Sequence, residues 1–180
     1  MENQQPSDAT SAYIALGSNL GDRERTLHSA IAALRQLGSV DAISSFYETA
    51  PVGLVEQPDF VNGVAALRTA LPPEELMTAL LRIEQQHGRD RSVSVPKGPR
   101  TLDLDLLSYG DVVIETPTLT LPHPSLADRR FVLVPLTEIA PQWRHPVSGK
   151  TAAILLSELS QRDGDSSQPL RKVQSSTASA

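Results

Sequence analysis

The run Ala12-Tyr13-Ile14-Ala15-Leu16 is short and apolar and stops at Gly17-Ser18-Asn19-Leu20-Gly21-Asp22, which predicts a strand and then a tight loop. Leu27, Ala30, Ile31, Leu34 and Leu37 then recur at helical spacing, with Asp22 placed to cap the start and Gly38 to stop the segment. Val40 to Tyr47 predicts a second strand, Glu48 to Asp59 a loop carrying Pro51, Gly53 and Pro58, and Phe60 to Leu67 a third strand. Pro72-Pro73-Glu74-Glu75 opens a second helix, whose Leu76, Leu80, Ile83 and His87 form one stripe ending at Gly88. After a polar stretch from Arg89 to Arg100, Thr101-Leu102-Asp103-Leu104-Asp105-Leu106-Leu107 is the strictest alternation in the chain. The order is β-α-β-β-α-β, the split arrangement of a ferredoxin-like α+β domain: an antiparallel sheet with two helices on one face and the other face left for a ligand. Val112 to Leu121 predicts an added hairpin, and His123 to Leu159 short helices and loops.

Composition trims this picture at both ends. Residues 1–11 and 160–180 are rich in Ser, Gln, Asp and Thr with almost no apolar periodicity, so both are expected to be disordered tails around one working domain, residues 12–159. Deleting residues 160–180 is then expected to leave melting temperature and rate nearly unchanged. The 180 residues hold no cysteine, which excludes disulfides and thiolate chemistry and leaves oxygen or imidazole as the only metal donors. A net charge of −5 argues against a dedicated binder of nucleic acid or of an anionic membrane. No stretch approaches the roughly 20 apolar residues of a membrane span. A cytoplasmic monomer acting on small molecules is the expectation.

Chemistry concentrates on the alternating strand. Leu102, Leu104 and Leu106 point to one face, so Asp103 and Asp105 stand together on the other, with Cα atoms roughly 6.5–7 Å apart. Two carboxylates at that spacing are either solvated acids on an exposed sheet or ligands for Mg²⁺, which takes one or two carboxylates plus water and substrate phosphates. Residues 82–100 favour the second reading: Arg82, Arg89, Arg91, Lys97 and Arg100 against Glu84 and Asp90 give a local balance of +3 beside the acids. Guanidinium forks match phosphate oxygens, and the Gly- and Pro-bearing loop Ser92 to Pro99 is able to close over a ligand. His123 can donate to a phosphate, Arg129 can clamp one, Phe60 and Phe131 can stack on a planar ring, and Asn62 can read a heterocycle edge. Gly17 to Asp22 lacks the endings of a P-loop or Rossmann fingerprint. The four histidines, His28, His87, His123 and His145, show no metal-ligand spacing.

Six ordered motifs resemble the 6-hydroxymethyl-7,8-dihydropterin pyrophosphokinase family of folate biosynthesis over about Ala12 to Leu159. They are Ala-Leu-Gly-Ser-Asn-Leu-Gly (15–21), Phe46-Tyr47-Glu48-Thr49 with Pro51 and Gly53, Gln-Pro-Asp-Phe-Val-Asn (57–62), Gly-Pro-Arg-Thr-Leu-Asp-Leu-Asp (98–105), Leu-Pro-His-Pro (121–124), and Arg129 followed by Phe131. The resemblance implies Mg²⁺-dependent transfer of the β,γ-pyrophosphoryl group of ATP to the pterin hydroxymethyl oxygen, releasing AMP. It implies two Mg²⁺ ions on Asp103 and Asp105, and Arg89 and Arg100 as catalytic arginines. ATP contacts fall on Glu84, Arg91, Lys97, Arg100, Leu106, Thr120, His123 and Arg129. The pterin falls between Phe60 and Phe131, read by Asn62 and Asp103 and by backbone around Thr49, Ala50 and Val52. The chain departs from the family in carrying Pro96-Lys97 where an Arg and an aromatic often stand. Two other classes fit the residues less well: a ligand-sensing α+β module, which leaves the paired acids without purpose, and a two-metal nucleotidyl transferase or nuclease, which the acidic charge disfavours.

Overall fold

A computed structural model describes residues 8–51, 56–89, 92, 97–164 and 168–174. Strand β1 (Thr10–Ser18) leads to helix α1 (Arg23–Leu34), where the Asp22 carboxylate accepts from the Arg25 amide at 3.2 Å as an N-cap. Leu27, Ala30, Ile31 and Leu34 form the buried stripe of α1, as their spacing predicts. Strand β4 (Phe60–Thr69) is followed by helix α2 (Pro73–Gln86), with Pro73, Glu74 and Glu75 in its first turn and Leu76, Leu80 and Ile83 buried. Strand β5 (Asp103–Tyr109) closes the series. Antiparallel ladders join β1 to both β4 and β5, and α1 and α2 cover one face through a core that includes Ile14, Leu16, Leu67, Leu102, Leu104 and Leu106.

The predicted strand from Val40 to Tyr47 is two strands, β2 (Ser39–Ile43) and β3 (Tyr47–Thr49), which occupy successive stretches of the same edge of β4. Ser44 makes the break. Its hydroxyl accepts from the Val64 amide at 2.9 Å in place of a main-chain carbonyl, and the Phe46 ring folds over Gly63, where an added Cβ would lie 2.9 Å from Phe46 Cδ1. The strand order from one edge is therefore β5-β1-β4, then β2 and β3 side by side along β4.

The structure corrects two expectations. The second face of the sheet is not left wholly to a ligand: helices α3 (Arg130–Ile139) and α4 (Ala152–Asp163) cover about its far half, packing Leu133, Leu136, Leu155 and Leu159 against Val64 and Leu107. Leu107 reaches that face by continuing the alternation that puts Asp103 and Asp105 there, and the β1–β5 register slips just past it, between the Ile14–Leu106 and Tyr13–Ser108 pairs. The hairpin appears as β6 (Ile114–Glu115) and β7 (Thr120–Leu121). Nor are the flanks of residues 12–159 structureless. Thr10 and Ser11 begin β1, Ser160 to Asp163 finish α4, and Leu170–Lys172 forms β8, paired antiparallel with β3. Pairing with an open sheet edge supplies order that local composition does not show. Among the described residues, no helix is long and apolar enough to cross a membrane.

Candidate active site

The uncovered end of the second face is where β1, β4 and β5 bring their short or polar residues into one row. Cross-strand register sets Gly17 opposite both Asp103 and Asn62, and Ala15 opposite Asp105. Residues directly opposite share a face, so Asp103 stands in line with Asn62 with Gly17 between them, and Asp105 lies on the same face one row along, beside Ala15. Glycine is required there: a Cβ on residue 17 would lie 2.9 Å from Asn62 Oδ1, with Phe60 and Asp103 next nearest. A cleft of about 580 Å³ opens over this row, lined by Thr49, Ala50, Phe60, Asn62, Lys97, Arg100, Asp103, Asp105, Arg129 and Phe131 among others.

Charge is arranged in layers beneath and around the acids. Glu84, 1% exposed on α2, accepts the Leu104 amide at 2.8 Å and faces Arg89 Nη1 at 3.3 Å. Arg89 in turn is bonded to the Asp103 carboxylate and to the Leu102 carbonyl. On the cleft side, Arg100 Nη1 lies 3.1 Å from Asp103 Oδ2 while its guanidinium sits 5.4 Å from the centre of the Phe60 ring. Arg129 lies 3.6 Å from Asp105 and 5.7 Å from the centre of the Phe131 ring. Desolvation, reinforced by the neighbouring Asp103 charge, pushes the Asp105 carboxyl up to about 6 against the pull of Arg129. Burial and the Arg129 charge hold His123 below the ordinary histidine range, so its ring is neutral near pH 7. Its Nδ1 accepts from the Ser125 amide at 3.1 Å, which places the proton on Nε2 as a donor.

Of the residues named from sequence, Thr49, Ala50, Phe60, Asn62, Lys97, Arg100, Asp103, Asp105, Arg129 and Phe131 are brought to the cleft wall. Arg89 reaches Asp103 from below, and His123 follows β7, tied by its amide to the Leu107 carbonyl at 2.8 Å. Glu84 and Leu106 are buried in the helix–sheet layer, and Thr120 is exposed on β7. Arg91 and Val52 lie outside the described residues.

Sequence reasoning missed Asn19. Its amide, 1% exposed, donates to Gln57 Oε1 and to the Pro58 carbonyl, both at 2.9 Å, while its Oδ1 accepts the Arg100 amide at 2.8 Å. Gln57 passes the tie on to the Lys97 carbonyl at 2.9 Å. One buried amide thus fixes the loops that carry Phe60 and Arg100. The signal lay in Gly-Ser-Asn-Leu-Gly, which reads as a tight loop and a family motif without showing which groups its amide meets. Gly17, Ser125, Asp128 and Gln168 also line the cleft without having been singled out.

Carboxylates ringed by guanidinium groups next to a slot walled by two aromatic rings define an enzyme that joins a phosphate-rich substrate to a flat heterocycle. Comparison with known proteins makes this specific. Residues 13–141 match the family model of 7,8-dihydro-6-hydroxymethylpterin-pyrophosphokinase, HPPK. The chain is 45% identical over 156 residues to the 2-amino-4-hydroxy-6-hydroxymethyldihydropteridine pyrophosphokinase of Synechocystis sp., covering 86% of this chain and 78% of the relative. It is 48% identical over 131 residues to the enzyme of the same name from Haemophilus influenzae, covering 72% and 81%. A solved Plasmodium falciparum HPPK-DHPS, crystallised with pterin and p-hydroxybenzoate, shares the fold with a TM-score of 0.70 at 16% identity over 91% of this chain, which spans 45% of that longer one. The chain belongs to the 7,8-dihydro-6-hydroxymethylpterin-pyrophosphokinase family.

Proposed function

We propose that the cleft carries out the family's reaction: transfer of the pyrophosphoryl group of ATP to the hydroxymethyl oxygen of 6-hydroxymethyl-7,8-dihydropterin, giving AMP and the pterin diphosphate, a step of folate biosynthesis. The observation that carries this reading is the row Asp103–Gly17–Asn62, which puts an acid edged by arginines two strands away from an amide beside an aromatic wall. In this reading the sheet is ferredoxin-like, with β2 and β3 together as its second strand. The fold supports the reading through its strand order and through α1 and α2 on a single face. The absence of cysteine fits work in the cytoplasm.

The pterin ring would lie between Phe60 and Phe131. Asn62 Nδ2 already donates to Thr49 Oγ1 at 2.7 Å, so Oδ1, above Gly17, is the atom left to accept a ring N–H. Asp103 and Asp105 suit Mg²⁺: hard oxygen donors on one face, with Asp105 held at a raised pKa that a cation would lower. Two carboxylates suffice only if phosphate oxygens and water complete the shells. Bound there, two such ions would neutralise the triphosphate and hold the hydroxyl for in-line attack. The arginines that now pair with the acids, Arg100 and Arg129, are within reach to turn their forks to phosphate oxygens. Arg89, anchored by Glu84, keeps Asp103 aimed from below. His123 Nε2–H is a further donor to the nucleotide, and Lys97 a cation on the rim.

Incubation with ATP, hydroxymethyldihydropterin and Mg²⁺ tests the proposal. AMP should appear in equal amount to pterin diphosphate and only when the pterin is present. Release of ADP, or AMP without pterin, refutes it.

A further inference from the structure

The segment Gln168–Val173 was expected to be a dispensable tail, and it lies outside residues 13–141, the span that the family model matches. It is instead a strap across one end of the cleft. Three bonds seat it. β8 extends the sheet from β3, the Val173 amide donates to the Phe46 carbonyl at 2.8 Å, and Arg171 pairs with Glu48, which also faces Arg23 at 3.3 Å.

At the other end of the strap, Gln168 lines the cleft while both ends of its amide are used. Its Oε1 accepts the Arg130 amide at 2.9 Å, and its Nε2 donates to the Asp128 carbonyl at 3.3 Å. Those two backbone groups flank Arg129. Residue 129 is also the N-cap of α3, with no capping hydrogen bond from its own side chain. The first amides of a helix have no intrahelical acceptor. Gln168 therefore caps α3 from a distance and brackets Arg129, whose guanidinium meets Asp105. Phe131, in the first turn of α3, stands against the same wall: a recess of about 80 Å³ beside the cleft is lined by Phe131, Thr49, Gln168, Pro169 and Leu170 among others. Because β8 holds β3, where Thr49 accepts from Asn62, the strap joins the two sides of the aromatic slot.

We propose that Gln168, delivered by this strap, is a positioning residue for the transfer reaction: it sets Arg129 against Asp105 and Phe131 against the pterin slot. The proposal rests on the function given above. In the full-length protein, Gln168→Ala is expected to raise KM for both substrates about three- to tenfold, the worth of roughly one buried hydrogen bond, with kcat changed less than about twofold. Gln168→Glu, which keeps the acceptor for Arg130 and loses the donor to Asp128, should recover part of that loss. Deleting residues 168–180 should reproduce the KM increase and also lower the melting temperature. Unchanged KM values in Gln168→Ala, or a loss confined to kcat, overturn the proposal. Amide hydrogen exchange at Arg130 reads the same contact without turnover: slow in the parent and at least about tenfold faster in Gln168→Ala. Equal exchange in the two proteins overturns the strap's role whether or not the parent is active. Failure of the parent to release AMP overturns the reaction and leaves the exchange comparison to decide the strap.

Discussion

Asp105→Asn should stabilise the metal-free protein at neutral pH while abolishing turnover. The Asp105 carboxyl stands at about 6 in the fold against an ordinary 3.8, chiefly because it is desolvated and next because Asp103 is close. A raised carboxyl pKa means that the folded state holds the proton more tightly than the unfolded chain. The group's stabilising contribution is thus complete below about pH 4 and is lost as pH rises through about 6. At pH 7.5 the charged form costs at most ~3 kcal/mol. The side chain keeps 29% of its exposure and faces Arg129 at 3.6 Å, and solvent screening brings the working figure to about 1–2 kcal/mol. An amide of the same shape carries no such cost. In a chain of this size, that difference moves the melting midpoint by about 3–6 °C. The assay is thermal unfolding in chelator from pH 5 to pH 8. The variant should melt above the parent at pH 7.5, and the gap should narrow by about half towards pH 5 as the parent's Asp105 takes up its proton. With Mg²⁺ and ATP added the order should reverse, because only the parent gains a bound cation. A variant that melts below the parent at pH 7.5 in chelator would show that Asp105 is not under electrostatic strain, and the argument for a cation there would lose its footing.

Gly17→Ala places a methyl 2.9 Å from Asn62 Oδ1, so pterin affinity measured by calorimetry should fall about five- to fiftyfold while overpacking costs about 1–3 kcal/mol of stability; unaltered affinity would remove Asn62 from the recognition of the ring. Arg89→Met withdraws the cation from Glu84, whose carboxylate is 1% exposed, and should lower stability in urea by about 3 kcal/mol. Adding Glu84→Gln should restore about half of it, and equal losses in the single and double variants would refute the buried pairing.

Elements whose order comes from their own pattern were legible. The stripe of α1, the proline and acids at the start of α2, and the opposed leucines and aspartates of β5 all appear where their periods place them. What failed was whatever depends on a distant partner. The break at Ser44 arises from a hydroxyl that meets the amide of Val64, and nothing within Val40 to Tyr47 marks it. Pro169-Leu170-Arg171-Lys172 is too short and polar to read as a strand, and takes that form because β3 offers an unpaired edge and Glu48 an opposite charge. In the site, the acids, arginines and rings announced themselves by residue type. Asn19 and Gln168 did not, since an amide reveals its role only through the backbone groups it meets.

Strand β4 is held along one edge by two separate short ladders: Arg68 back to Ala65 against β2, and Asn62 back to Phe60 against β3. A continuous neighbour would force any slip at one end to travel the whole length, turning every side chain over. Here the hydroxyl joint at Ser44 divides the strand into a half that anchors the interior and a half that presents Phe60 and Asn62 to the cleft. Lineages are therefore free to retailor the cleft-facing half, altering ring size or polarity, without disturbing the anchorage that keeps the protein folded.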